Sequence, residues 1–123
     1  MLAQRNPSEA YRRVDFDARV AGADSRQLVA LCYERLVSAL GSALFAHDKG
    51  DNRAKSEALT RAISALTALQ MGVVSGEGVA GALAQFYEAA RRGVLDNVVD
   101  FDRDAISRIR TDVADIAAAL TQA

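Results

Sequence analysis

Residues 24–47 read DSRQLVALCYERLVSALGSALFAH, and this stretch decides the fold. On a helix turning about 100° per residue, Leu28, Val29, Cys32, Tyr33, Leu36, Val37, Ala39, Leu40, Ala43 and Leu44 fill roughly 180° of one face. Only Arg26 and His47, at the two ends, intrude on that arc. A helix packed against a single core needs an apolar face of roughly 100°. The excess implies either a central helix covered on two sides or a helix whose face is partly a docking surface, because monomeric bundles leave little contiguous apolar surface wet. Asp24 with Gln27 forms a capping-box pattern at its start, and Gly50 is a natural residue to end it.

Working outward, the same periodicity predicts four more helices. Upstream, Asn6-Pro7-Ser8-Glu9 offers an N-cap, a proline at the first helical position and a glutamate three residues after the cap. Ala10, Tyr11, Val14 and Ala18 then follow at helical spacing, so a short helix is expected over 7–20 before Ala21-Gly22-Ala23 breaks it. Downstream, a helix beginning near Asp51 carries Leu59, Ala62, Ile63, Leu66, Leu69 and Val73 until Gly72, Gly76 and Gly78 interrupt it. A fourth begins near residue 78 and carries Val79, Leu83, Phe86, Tyr87, Ala90, Val94 and Val98. A fifth follows Asp102 with Ile106, Ile109, Val113, Ile116, Ala117 and Leu120 within roughly 100°. Short connections between long helices place neighbours antiparallel. The fold class is therefore all-α: an antiparallel up-down four-helix bundle over 23–123, with an additional short N-terminal helix in 1–22. Val73-Val74 is too short to predict a strand.

Composition narrows the function. The chain has 123 residues, enough for one domain with its own core. Its formal net charge is −1, which argues against a phosphate backbone as main partner. The adjacent basic pairs Arg12-Arg13 and Arg91-Arg92 read as solvated helix faces. The single cysteine, Cys32, has no internal disulfide partner, which fits a reducing compartment, and its apolar setting marks it as a small buried hydrophobe. Charged residues from Arg5 to Arg13 exclude a signal-peptide pattern, and no run of about 18 uninterrupted apolar residues exists to span a membrane. A cytoplasmic protein is expected.

Motifs for chemistry fail one by one. Gly76-Glu77-Gly78-Val79-Ala80-Gly81 matches a dinucleotide-binding fingerprint, but no strand precedes it and no parallel sheet is in view. Asp100-Phe101-Asp102-Arg103-Asp104 begins like a calcium loop, yet Ala105 and Thr111 stand where glycine and glutamate are required. A helix N-cap at Asp100 or Asp102 is the simpler reading. One histidine cannot supply a di-iron or zinc ligand set. No metal, no cofactor and no catalytic residue is therefore expected. A four-helix bundle with one histidine also admits a histidine phosphotransfer module using His47. Its position at a helix end, with Lys49-Gly50 close behind, is less suited to that role than to a favourable place near the helix dipole.

Several strings, taken in order, resemble the flagellar secretion chaperones of the FliS family, from Ala10 to about Leu120. Tyr11 lies ahead of the first long helix. Ala23-Asp24-Ser25-Arg26-Gln27-Leu28 is similar to the family's helix start. Leu31-Cys32-Tyr33-Glu34 is similar to its Met-Leu-Tyr-Asp. Gly50-Asp51 and Lys55-Ser56-Glu57-Ala58-Leu59-Thr60-Arg61-Ala62-Ile63 are similar to its second hairpin arm. Gly76-Glu77-Gly78-Val79-Ala80 followed by Leu83, Phe86 and Tyr87 is similar to its Gly-Glu-Ile-Ala and later Leu-Tyr. The chain departs from the pattern at Arg35, Ser25 and Asn97-Val98.

The resemblance implies a bundle that binds the C-terminal segment of newly made flagellin, prevents premature polymerisation and aids delivery to the export gate, with the N-terminal segment over the empty groove. On this reading Leu28, Leu31, Leu36 and Leu40 serve groove and core. Tyr33, Leu66, Leu69 and Tyr87 are candidate lining residues, and Tyr11 and Val14 form the lid. Each is equally open to a role as ordinary core.

Overall fold

The computed structural model describes residues 7–22, 25–73 and 79–121. Five helices follow in order: α1 Pro7–Ala21, α2 Ser25–Asp48, α3 Asn52–Gly72, α4 Val79–Val99 and α5 Arg103–Thr121. No strand occurs among the described residues. The capping positions Asn6 and Asp24 and the glycines Gly76 and Gly78 lie outside them.

Two tight corners set the antiparallel order. At the first, the Gly50 N–H donates to His47 O at 3.0 Å and the Asp51 N–H to Ala46 O at 2.9 Å, the paired bonds of a Schellman turn. Gly50 sits at φ +73°, a left-handed conformation that L side chains resist. The next residue starts α3, because the Asp51 carboxylate accepts from the Ala54 N–H at 3.0 Å. At the second corner, Asp102 Oδ1 accepts from the N–H groups of Asp104 and Ala105 at 3.0 and 3.2 Å. Of the two aspartates the sequence offered as caps, Asp102 is the one that closes α5. Asn97 braces this corner from the buried side. Its amide donates to Gly93 O at 2.8 Å and accepts from the Asp102 N–H. Both ends of a buried polar side chain are thereby satisfied.

The helices pack in the cyclic order α2–α3–α4–α5, with α2 against α3 the most extensive seam and α4 against α5 the least. The register of α2 and α5 is antiparallel: Asp48 meets Arg103, Val37 O accepts from Arg110 Nε at 3.2 Å, and the N-terminal half of α2 faces Ala114 to Leu120. Ala39 and Ala43 of α2 and Ala58, Ala62 and Ala65 of α3 are all buried in the core, and small side chains of this kind let helix axes approach closely. Leu36, Leu40, Leu59, Leu66, Tyr87, Val94, Ile106 and Val113 fill the interior. None of the described side chains of α1 belongs to this core.

Although charged residues interrupt its apolar run, α2 is long and apolar enough, by length and composition, to cross a bilayer. Its burial explains the composition. From Leu36 to Ala46 most of its apolar arc is enclosed by α3 and α5, so it is the central helix that the wide arc demanded.

Candidate functional site

Enclosure stops halfway along α2. Leu28, Leu31, Cys32 and Val37 are half-buried, and Val29 is 42% exposed. The C-terminal half of α5 runs alongside, and the two helices leave an open groove of about 790 Å³. Val29, Tyr33 and Val37 line it from α2, at spacings of four residues that place them on one helix face. Ala114, Ala117 and Leu120 line it from α5, with Leu120 41% exposed. Arg26, Gln27 and Glu34 supply the polar rim. The wall is predominantly hydrocarbon with a few charges at its edge, the composition of a site that holds an apolar helix face.

Tyr33 is the floor. Its ring meets that of Tyr87 edge-on at 6.2 Å between centroids, and the two hydroxyls share one hydrogen bond in the interior. Burial, followed by that shared bond, raises the Tyr33 pKa well above the ordinary tyrosine value, and burial raises that of Tyr87. Both rings remain neutral and fixed. Burial likewise pushes the Cys32 thiol up, away from nucleophilic character.

The first helix lies on another side. Glu9 forms a buried ion pair with Arg61 of α3. Arg35 of α2 stacks its guanidinium 4.1 Å above the Phe16 ring. Arg19 reaches Glu34 at 2.7 Å. Glu9, Phe16 and Arg19 recur along one helix face, so α1 lies against the α2/α3 side. A polar hollow of about 620 Å³ remains beneath it, lined in part by Arg13, Cys32, Arg35, Glu57 and Arg61. None of the described residues of α1 lines the α2/α5 groove.

The residues singled out from sequence thus separate into three groups. Leu36, Leu40 and Leu66 are wholly enclosed, and Tyr33, Leu69 and Tyr87 nearly so, which makes them core, with Tyr33 also at the groove floor. Leu28 and Leu31 are half-buried at the open end of α2. Tyr11 and Val14, expected to form the lid, are 74% and 67% exposed. The physical reason is that Glu9 and Phe16 sit on the opposite face of α1 and find charged partners on α2 and α3, which turns the Tyr11–Val14–Ala18 stripe outward. Val29, Val37, Ala117 and Leu120 were not singled out. The first two lie on the wide arc, whose periodicity does not separate them from Leu36 and Leu40.

His47 is engaged in packing. Its ring stacks on Phe101 with centroids 4.3 Å apart, and Lys55 Nζ lies 3.2 Å from its Nδ1 and 4.7 Å over the Phe101 ring. That arrangement ties α2, α3 and the α4–α5 corner together, and gives His47 a packing role at this end of the bundle. Among the described residues no cluster of side chains could hold a metal ion.

Two comparisons bear on this arrangement. Residues 7–123 match the family described as flagellar protein FliS. The chain is also similar to the flagellar secretion chaperone FliS of Salmonella typhimurium, at 30% identity over 117 residues, covering 93% of this chain and 87% of that protein. A chaperone family is not an enzyme class, in keeping with a site made of hydrocarbon and a rim of charge. The match extends from α1 through α5, and the chain belongs to the FliS family of flagellar secretion chaperones.

Proposed function

We propose that this protein is a cytoplasmic export chaperone that binds the C-terminal segment of flagellin, prevents its premature polymerisation and aids its delivery to the flagellar export apparatus. The observation that carries the proposal is the open groove between α2 and α5. An amphipathic helix of the client seats its apolar side chains against Val29, Tyr33, Val37, Ala117 and Leu120. Leu28 and Leu31 extend the same apolar surface towards the start of α2. Leu36, Leu40, Leu66, Leu69 and Tyr87 act from behind, as the packed support that keeps the groove in shape. Tyr11 and Val14 offer a further apolar stripe to the wrapped client.

The energetics fit a client that is disordered until held. Apolar burial contributes about 25 cal/mol per Å² before ordering costs are subtracted. A segment that folds on binding gives up part of that gain, so affinity rests on the few side chains seated deepest. The test is calorimetric titration with flagellin and with flagellin lacking its last few dozen residues. Val29→Asp should abolish binding of the intact protein while leaving the bundle folded, because Val29 is 42% exposed on the groove wall and is not among the side chains packed against the core. Equal binding of truncated and intact flagellin would refute the proposal. His47→Ala should leave binding unchanged.

A further inference from the structure

Arg61 is only 7% exposed, although it stands on the outer flank of α3's buried stripe and not in the hydrophobic seam. It is buried because α1 covers it. A buried guanidinium is tolerated only when paired, and Glu9 supplies that pairing. The surroundings add to the demand for an anion. Burial, together with Arg12 and Arg35, disfavours the Arg61 charge, and only Glu9 and Glu57 oppose them.

Besides that pair, the helix that brings Glu9 is held by Phe16 beneath Arg35 and by Arg19 on Glu34. None of its described side chains belongs to the core, its stripe of Tyr11 and Val14 faces water, and the hollow beneath it is incompletely filled. Without α1 the hollow keeps Arg35, Arg53 and Arg61 from α2 and α3 against one carboxylate, Glu57, which Arg53 already faces at 3.8 Å. The bare α2/α3 face is therefore positive at Arg35 and Arg61, and a second helix laid there meets an unsatisfied guanidinium unless it carries an acid.

We infer that Arg61 is a carboxylate receptor, that Glu9 is its internal occupant, and that the flagellin segment presents an Asp or Glu side chain there in place of Glu9. This inference rests on the client reading above and adds a specificity element to it. The α2/α5 groove grips hydrocarbon and is tolerant of which hydrocarbon. The α2/α3 face discriminates, because a client that covers Arg61 without a carboxylate leaves a buried charge unpaired. The penalty is on the order of 100-fold or more in affinity. Arg35, released from Phe16, assists as a neighbouring cation.

The experiment titrates the full-length chain with the flagellin C-terminal segment, in which each Asp and Glu is changed singly to Asn or Gln. One position should weaken binding to the unaltered chain by about 10-fold or more. The same substitution should have an effect of less than about 2-fold against the Arg61→Gln chain, the signature of direct coupling. Glu9→Gln should tighten binding by removing the internal competitor, whereas Arg61→Gln should weaken it. Should Arg61→Gln fail to fold, Arg61→Lys keeps the charge without the planar fork and should still cut the coupling several-fold. No sensitive acidic position, a sensitivity that persists without Arg61, or Glu9→Gln and Arg61→Gln shifting affinity in the same direction would each overturn the inference while leaving the client reading intact. A segment that does not bind the unaltered chain at all refutes that reading, and the inference with it.

Discussion

The two buried tyrosines permit a quantitative test of how the groove floor is held. Tyr33 and Tyr87 are each almost wholly enclosed, and their hydroxyls are satisfied by one another. Tyr33→Phe removes one hydroxyl and strands the other in the interior. The cost is that of an unsatisfied buried polar group, about 1–3 kcal/mol, rather than the net worth of a hydrogen bond. Tyr87→Phe should cost the same for the same reason. The double variant strands nothing, so its cost should fall to about 0–1 kcal/mol, well below either single variant's upper range. The coupling between the positions, the two single costs less the double, is then at least about 1 kcal/mol, measurable by urea unfolding with the slope of the transition unchanged. A pH arm sharpens the test. Both folded pKa values are raised above the ordinary value of 10.0, so the neutral pair stabilises the fold fully below that pH. Stability falls as pH rises past it and the unfolded state ionises first. The double variant should lose this alkaline decline. Additive single-variant costs, or an alkaline limb that survives both substitutions, would refute the view that the two hydroxyls form a closed pair.

Three further outcomes are expected. Gly50→Ala should destabilise the bundle by about 1–2 kcal/mol in urea unfolding, since its φ of +73° is left-handed. Glu88 accepts from Gln70 and pairs with Arg92 and Arg91, which hold its pKa down at about 2 against an ordinary 4.5. Its stabilising effect is therefore present above pH 4.5 and fades as pH falls towards 2. An NMR titration should find a carboxyl resonance still ionised at pH 3, with a shift that shrinks in high salt. Removal of residues 1–22 should leave a cooperatively folding α2–α5 bundle by circular dichroism, because none of the described side chains of α1 belongs to the core. Loss of cooperative unfolding would show that α1 is structural.

Much of this was legible in the sequence, and the residues show why. Long helices with clear periodicity read correctly because local pattern and tertiary packing agree in them: α2 to α5 each begin one residue after the position expected to start them, at Asp24, Asp51, residue 78 and Asp102. Gly50-Asp51 was readable because turn chemistry is local. Facing was not. The stripe Tyr11–Val14–Ala18 is a proper apolar periodicity, yet the inward face of α1 was fixed by Glu9 meeting a residue far along the chain, Arg61. Nothing in the local pattern encodes that pairing. The width of the α2 arc was legible, but which half of it stays open depends on where α5 crosses, so Val29 and Val37 could not be separated from Leu36 and Leu40. Asn97 gave no signal, because its role depends on a corner that exists only once α4 and α5 are in place.

The bundle is asymmetric from end to end. Where α2 gives way to α3 and α4 to α5, Arg103 grips Asp48 through two hydrogen bonds of 2.8 and 2.7 Å, His47 lies on Phe101, and Gly50 and Asp102 close the turns. Around Val29 and Leu120, the opposite end instead presents the partly exposed apolar walls of the groove. The laced corner thus lies away from the mouth. On the proposed client reading, cargo entering or leaving the mouth need not disturb that corner, so loading and unloading are separable from melting of the carrier itself.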